Sequence, residues 1–590
     1  MDRNFLKQSD FYKYVLIFFL VLIGLVLYAE IYLLSYLGGG DFEGYGYWWI
    51  ALIKKHLLSE FSFPYFTPSR CGGFLLAADG QVYIFSLYPL VHFFVPHVVW
   101  SMKITNLLLS IILATGMYQW LFYLGIKSRA ARFFTGFIIS ISGYWVFHLT
   151  NDGTQLHVQS FAYIPWILVH MEKLFIRDFS FDRTTIKTGL WLTLCLFLMG
   201  NGGYFWLQYF PYIFLGRLIA ELISPYDGRL EAFKKIGFIL FCFMSAILLS
   251  WPHLGGVIEF EGARFLRNGT GFIPNYGIIW KNKPLFRGIF FSLFGEKHVI
   301  KGDGHWAIGG IWEYSNFIGS MALIPVLIGI LRIKKVLKSK LFWTMVFASL
   351  VQFAFVRTHV TADLLRAAFP FFKSLTHYWR GSASFVLSIS IFMALGYEFF
   401  FQSRHKALVF VGIFLMIFHL TEIHFVYQHR LKFKIDPINN PSISEIGKEY
   451  KSLPDVCEKH GGCELCHLFG YDYWGKIPGP LSFDPKKSVY DSGQEGYYNM
   501  HDIKELFSPD KPKNYYMTHK WPLWPKTDQA DFEKFIRYKQ VYPLPFRLIV
   551  MNRISMFYWL VYMLLWLWII FPVKAAALDK VTIKSPKKSR

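Results

Sequence analysis

Long apolar runs recur along this chain, and polar residues gather between them. In lipid, only a helix satisfies its own backbone donors and acceptors over runs of that length. The pattern predicts an all-α polytopic membrane protein with about twelve spans, near 15–36, 103–126, 133–150, 161–176, 188–201, 204–222, 235–253, 315–332, 341–356, 384–401, 407–427 and 555–573. The first run is too long for a cleavable signal peptide and lacks a small-residue cleavage site.

Charge tests the count. Alternate connections carry Lys127, Arg129 and Arg132; Arg177, Arg183 and Lys187; Arg229, Lys234 and Lys235; Lys334, Lys335, Lys338 and Lys340; and Arg404 and Lys406. Both termini are basic too, through Arg3, Lys7 and Lys13 and through Lys584, Lys587, Lys588 and Arg590. All these segments share one side only if the number of spans is even, which puts both termini in the cytoplasm. The spans between 161 and 222 are short or closely spaced around Asn201-Gly202-Gly203, so this is where the count is softest.

Composition agrees: of 590 residues, 54% are hydrophobic and 20% aromatic, with a mean hydropathy of +0.33. A formal charge of +22 would suit nucleic acid, but much of the excess lies in short loops and the tail, where it orients helices. No nucleic-acid partner is expected.

The other side holds the long connections. They divide the chain into a transmembrane domain, 1–427, with external loops 37–102, 254–314 and 357–383. A small mixed extracytoplasmic domain, 428–552, follows, and then the last helix and basic tail, 553–590. Within the first loop, Tyr45 to Phe61 mixes aromatics with Lys54, Lys55 and His56, as a helix lying in the membrane interface does. A transporter usually keeps its polar residues inside the helices near the midplane. Here they concentrate in external loops, which points to chemistry at the outer surface on a lipid-borne substrate.

The first candidate site follows the first span, at Gly38-Gly-Gly-Asp41-Phe-Glu43. The glycines let the backbone approach a ligand closely. A carboxylate there can deprotonate a hydroxyl or hold a divalent ion; the plain alternative is a solvated loop acid. Glu30 lies within the first span, where an ionisable side chain is expensive and calls for a partner or a water-filled cavity, unless it sits near the interface.

Pro64-Tyr-Phe-Thr-Pro68, Gly72-Gly73, Gln81 and Tyr88-Pro89-Leu90 resemble the first-loop pattern of the bacterial YfhO-like membrane proteins, in which an Asp just after the first helix precedes these motifs. Looser likenesses follow in order: Gly143 to His148 with Pro165-Trp166; Met199-Gly200-Asn201 with Gln208; Trp251-Pro252 with Glu259 and Arg264; Glu313-Tyr314 with Gly319; and Phe371 to Arg380. The third of these departs from the family's Gly-His-Pro-Gln type of turn, since His and Pro are absent. The resemblance covers about the first 400 residues.

YfhO-like proteins are similar to the GT-C glycosyltransferases. The resemblance therefore implies a GT-C-like fold, a sugar donor on polyprenyl phosphate, and a cell-envelope glycan, lipid or protein as acceptor at the outer face of a bacterial inner membrane. It makes Asp41 the general base or a metal ligand, with Glu43 beside it. The acceptor hydroxyl attacks the anomeric carbon and the lipid phosphate leaves with inversion. Positive charge has to meet the departing phosphate. Arg264, Arg267 and Arg380 are candidates through their forked donors, as are Lys281 and Lys283; binding of membrane lipid head groups explains the same cations. Glu259, Glu261, Asp303 and Glu313 are candidate second carboxylates, Glu313 also for substrate binding. His157 and His377 sit at predicted helix mouths, where structural roles are commoner.

The cysteines raise other chemistry. Cys195 and Cys242 fall within helices and read as packing residues. Cys71 lies in the first external loop, and Cys457, Cys463 and Cys466 lie in the external domain. Cys463-Glu-Leu-Cys466-His467 matches the c-type haem attachment pattern, with Met500 or His501 as a second axial ligand. Disulfides explain the same residues, and so does zinc held by Cys457, Cys463, Cys466 and His460 or His467. Two further functions stay open beside transfer: a non-catalytic subunit holding the external domain against a membrane complex, and a haem-bearing electron carrier. Asn268-Gly269-Thr270 is a glycosylation sequon without meaning in a bacterium.

Overall fold

A computed structural model describes residues 22–34, 83–150, 158–203, 209–258, 316–357, 382–430 and 546–571, together with 50, 53–54, 57, 206, 290 and 292–295. Helix occurs in the described part of each of the twelve apolar stretches, and there is no strand among the described residues. The helices are α1 (Leu22–Leu34), α2 (Leu87–Phe94), α3 (Val98–Tyr123), α4 (Arg129–Ser140), α5 (Gly143–Thr150), α6 (Ile164–Ile176), α7 (Arg183–Gly200), α8 (Phe210–Ile223), α9 (Arg229–Gly256), α10 (Leu323–Leu331), α11 (Lys340–Arg357), α12 (Ala383–Gln402), α13 (Lys406–Arg430) and α14 (Phe546–Ile570). α4 and α5 together make one apolar stretch, broken near Ile141.

Among the described residues, six helical stretches are long and apolar enough to cross a membrane: Val98–Tyr123, Arg129–Leu149, Arg229–Gly256, Ala383–Gln402, Lys406–His429 and Phe546–Ile570. The chain is a multi-pass helical membrane protein. α6 and α8 are shorter, at 13 and 14 residues. At 1.5 Å per residue they reach only about 20 Å, short of a hydrocarbon core of about 30 Å. A 3-10 turn, Gln159–Tyr163, precedes α6 and lengthens it.

Local chemistry sets several boundaries. Ser128 caps α4 by accepting from the Ala131 amide at 3.2 Å, and Asp182 caps α7 by accepting from the Thr185 amide at 2.7 Å. That amide, helped by the Ser180 hydroxyl, holds the Asp182 carboxyl below its usual range. Pro165 and Pro211 open α6 and α8, where a missing amide costs nothing. Several boundaries differ from expectation. α3 starts at Val98 rather than 103, α7 at Arg183 rather than 188 and α9 at Arg229 rather than 235; α14 starts at Phe546, ahead of 555, and takes in Arg547, Asn552 and Arg553. Polar residues lower hydropathy without stopping a helix that packs on α9.

α10 and α12 pack closest. A Cβ at Gly329 would lie 1.9 Å from the Phe392 carbonyl oxygen, and one at Gly396 would lie 1.9 Å from that of Pro325. Only glycine permits that approach, and small residues draw membrane helices together.

The basic connections meet at one end of the bundle. Glu398, at the end of α12, accepts from the Lys127 and Ser128 amides at 2.6 and 3.3 Å and from Lys335 Nζ at 2.8 Å. Glu221, late in α8, accepts from Lys340 Nζ at 2.9 Å and from Arg217, which also pairs with Glu172 of α6. Lys235 donates to the Phe175 carbonyl at 2.8 Å and pairs with Asp227. Arg183 reaches the Trp568 and Ile569 carbonyls at the end of α14. Helix direction then sends the start of α3, the end of α9, the end of α11, the start of α12, the end of α13 and the start of α14 to the opposite pole. All four long connections attach there.

Candidate functional site

Asp41, Glu43, Arg264, Arg267, Glu313 and Arg380 lie outside the described residues. So do Cys71, Cys457, Cys463, Cys466, His460, His467, Met500 and His501, and with them the disulfide, haem and zinc readings. His157, His377, Glu259, Glu261, Asp303, Lys281 and Lys283 lie outside as well. The described structure gives the roots of the loops that carry these residues.

Those roots are tied together. Near the end of α1, Tyr28 shares a hydrogen bond with the Ser140 hydroxyl, and Tyr32 donates to the Ser140 carbonyl at 2.5 Å. Three residues on, the Gly143 amide donates to the Phe317 carbonyl at 2.6 Å, and the Ile318 amide donates to the Leu293 carbonyl at 2.8 Å. Ser382 donates to Asn316 Oδ1 at 2.8 Å, and Asn316 Nδ2 donates to the Ser292 hydroxyl at 3.3 Å. The segment that begins three residues after Glu313 is therefore bonded to Ser382, two residues after Arg380. Both sit beside the α4–α5 break that holds α1.

The segment 316–321 is held from α13. Glu422 accepts from the Ser320 and Met321 amides at 2.6 and 2.9 Å, taking the place of a local cap for α10. His419 bonds the Ile318 carbonyl through Nε2 and the Tyr397 hydroxyl through Nδ1 at 3.0 Å. A Cβ on Gly319 would lie 2.6 Å from the His419 ring, and its φ of +98° is one that side chains rarely adopt. Two residues past Glu422, His424 Nδ1 meets Glu30 Oε2 at 2.9 Å, which gives Glu30 the partner its place in α1 calls for.

The first loop's root is cationic. Lys103 Nζ donates to the Leu33 carbonyl at 2.7 Å, at the end of α1, and lies 5.3 Å from the Trp100 ring centroid. Lys54 donates to the His92 carbonyl at 3.0 Å. Ile50 and Ile53 are buried against the bundle, so the described part of Tyr45 to Phe61 packs on protein rather than lying free at the interface. Burial, and then the Lys54 ammonium, push the His92 imidazole down to about 4, while its bond to the Val95 carbonyl opposes the shift.

Cys195 and Cys242 are buried and free, as packing residues are. Among the described residues, no three His, Cys, Asp or Glu side chains come together as a metal site. Sequence reasoning missed Glu422, His424 and Lys103. The signal was present: His419, Glu422 and His424 are three ionisable residues inside one apolar run, which lipid tolerates only when they face a partner or water.

No known family model matches the chain, and no curated protein does. Among solved structures it is similar to the oligosaccharyltransferase AglB of the archaeon Archaeoglobus fulgidus in complex with an inhibitory peptide and a dolichol-phosphate. Identity there is 13% and the TM-score 0.40, over 82% of this chain and 62% of that one. It is also similar to the A. fulgidus enzyme tethered to an acceptor peptide, at 14% identity and a TM-score of 0.41, over 83% and 62%. This chain thus spans under two thirds of the length of those proteins.

Proposed function

We propose that this chain is a GT-C-type, YfhO-like membrane glycosyltransferase that moves a sugar from a polyprenyl-phosphate donor to a cell-envelope acceptor. One observation supports it most. The roots of the loops bearing Asp41, Glu313 and Arg380 converge on one pole, through Ser140, Gly143, Phe317, Asn316 and Ser382, while the basic connections meet at the other. An enzyme that joins a lipid-borne donor to an acceptor at a membrane surface needs that segregation. In this reading the chain crosses a bacterial inner membrane twelve times with both termini in the cytoplasm, and the basic pole faces the cytosol.

Asp41 takes the proton from the acceptor hydroxyl as its oxygen bonds to the anomeric carbon. The bond from that carbon to the phosphate oxygen breaks, and the electron pair leaves with the phosphate. Arg264, Arg267 and Arg380 offset the charge that grows there, and Glu313 binds sugar hydroxyls.

The test is transfer of a radiolabelled sugar from polyprenyl phosphate into envelope acceptors by the purified protein in vesicles. Wild-type protein transfers label, and Asp41→Asn abolishes transfer while eluting as a folded monodisperse species. Full activity in Asp41→Asn would remove the base. A wild-type protein that transfers nothing and copurifies at fixed stoichiometry with other membrane proteins would make the chain a scaffold instead. A Soret band would point to haem at Cys463 and Cys466.

A further inference from the structure

The transfer reading leaves the Glu30–His424 pair without a task. Three observations set it apart from an ordinary helix-to-helix contact. Glu30 sits on the π-helical part of α1, Ala29–Leu34, a distortion that is rare and concentrates at functional sites. The pair is partly exposed, at 25% for Glu30 and 42% for His424, whereas Glu172, Glu221 and Glu398 near the basic pole are sealed. His424 also sits at an edge of α13. Leu420 and Tyr427 beside it are buried, while Thr421 and Gln428 on its other flank face outward.

Depth gives the surroundings. His424 lies eighteen residues after Lys406 at the basic pole, a rise of about 27 Å, close to the thickness of a hydrocarbon core of about 30 Å. That places the pair near the far interface, at the pole where the loop roots converge. A partly exposed carboxylate and imidazole at that depth are tolerated where water reaches them. Nδ1 faces the carboxylate, so in neutral His424 the proton sits on Nδ1 and Nε2 is the open acceptor. No partner for Nε2 occurs among the described residues.

We propose that Glu30 and His424 form a proton-relay pair in a hydrated cleft between α1 and α13, and that it discharges the proton released by glycosyl transfer. The inference rests on the transfer reading. Each turnover leaves one proton on the base, and the next turnover cannot start until it goes. His424 Nε2 receives that proton through water, the resulting imidazolium is held by the Glu30 carboxylate, and Nε2 then returns the proton to bulk solvent. Glu30 is the positioning residue: it fixes the tautomer and steadies the charged ring.

Two measurements test this on the full chain in vesicles. First, His424→Cys in a background with the remaining cysteines replaced by serine is treated with a charged, membrane-impermeant methanethiosulfonate. Labelling is expected from the side opposite the basic pole; an unlabelled Cys at that position, when a second protein that keeps only Cys71 is labelled under the same conditions, overturns the cleft. Second, in the transfer assay His424→Ala lowers kcat by about 100-fold, the usual low end for a lost proton-transfer group, with KM for the lipid donor within about twofold. Added imidazole restores a large part of the loss, and Glu30→Gln lowers kcat without changing KM. A folded His424→Ala protein with wild-type kcat, or one that imidazole does not rescue, overturns the relay while leaving the transfer reading intact. Failure of the wild-type protein to transfer defeats the transfer reading, and the relay falls with it.

Discussion

The buried ion cluster at the basic pole gives the sharpest stability prediction. Arg217 is fully buried and pairs with Glu172, 2% exposed, and with Glu221, 1% exposed; its guanidinium also stacks 4.1 Å from the Phe175 ring centroid. Lys340, 12% exposed, is the second cation, 2.9 Å from Glu221. Arg217→Met keeps the volume and the contact with Phe175 but leaves Glu172 without its cation. The Tyr226 hydroxyl beside it cannot replace a charge; burial, and then the Glu172 carboxylate, push that hydroxyl up to about 12. Stripping one partner from a buried pair costs about 3–5 kcal/mol, because the remaining charge is desolvated and unmatched. Replacing Arg217 and Glu172 together by Met and Leu leaves Glu221 with Lys340 and the Tyr226 amide at 2.9 Å. That double variant should recover to within about 1.5 kcal/mol of wild type, since an apolar substitute for a whole buried pair is often neutral. The assay is reversible unfolding in mixed micelles by titration with a denaturing detergent. A loss below about 1 kcal/mol for Arg217→Met, or a double variant worse than the single, would show that the cluster does not hold α6, α8 and α11 together.

Other outcomes follow from the same contacts. Gly396→Ala should abolish the monodisperse folded peak on size exclusion, because its Cβ would meet the Pro325 carbonyl oxygen at 1.9 Å; Gly237→Ala, with nothing within 4 Å, should be neutral or slightly stabilising. A folded, wild-type-like Gly396→Ala protein would refute the close α10–α12 approach. His92, held near 4 when folded against 6.5 for an ordinary histidine, stays neutral in the folded protein while the unfolded chain takes up a proton. Its contribution is therefore intact above pH 6.5 and is lost progressively as pH falls towards 4. His92→Asn should flatten the unfolding midpoint against pH across that window, and an unchanged slope would refute the assignment. Glu422→Gln should loosen the start of α10 and speed amide exchange at Ser320 and Met321, whose amides it accepts.

The apolar runs fixed where helices form, because a run of that composition leaves the backbone no other way to satisfy itself in lipid. Alternating Lys and Arg in the short connections foretold one basic end, and contacts such as Lys335 with Glu398 and Lys340 with Glu221 bear it out. Helix ends were less legible: Lys234 and Arg553 fall in helices that hydropathy starts later, since packing, not apolarity, extends them. Partners were hidden altogether. Glu30 announced by its cost that it needed one, but only the tertiary structure selected His424, 394 positions away in α13. The same is true of Glu422 with the amides of Ser320 and Met321, and of Asn316 with Ser382. Local pattern sets what a segment must bury; which distant group meets it depends on helix order, crossing and depth, and those exist only once the bundle has packed.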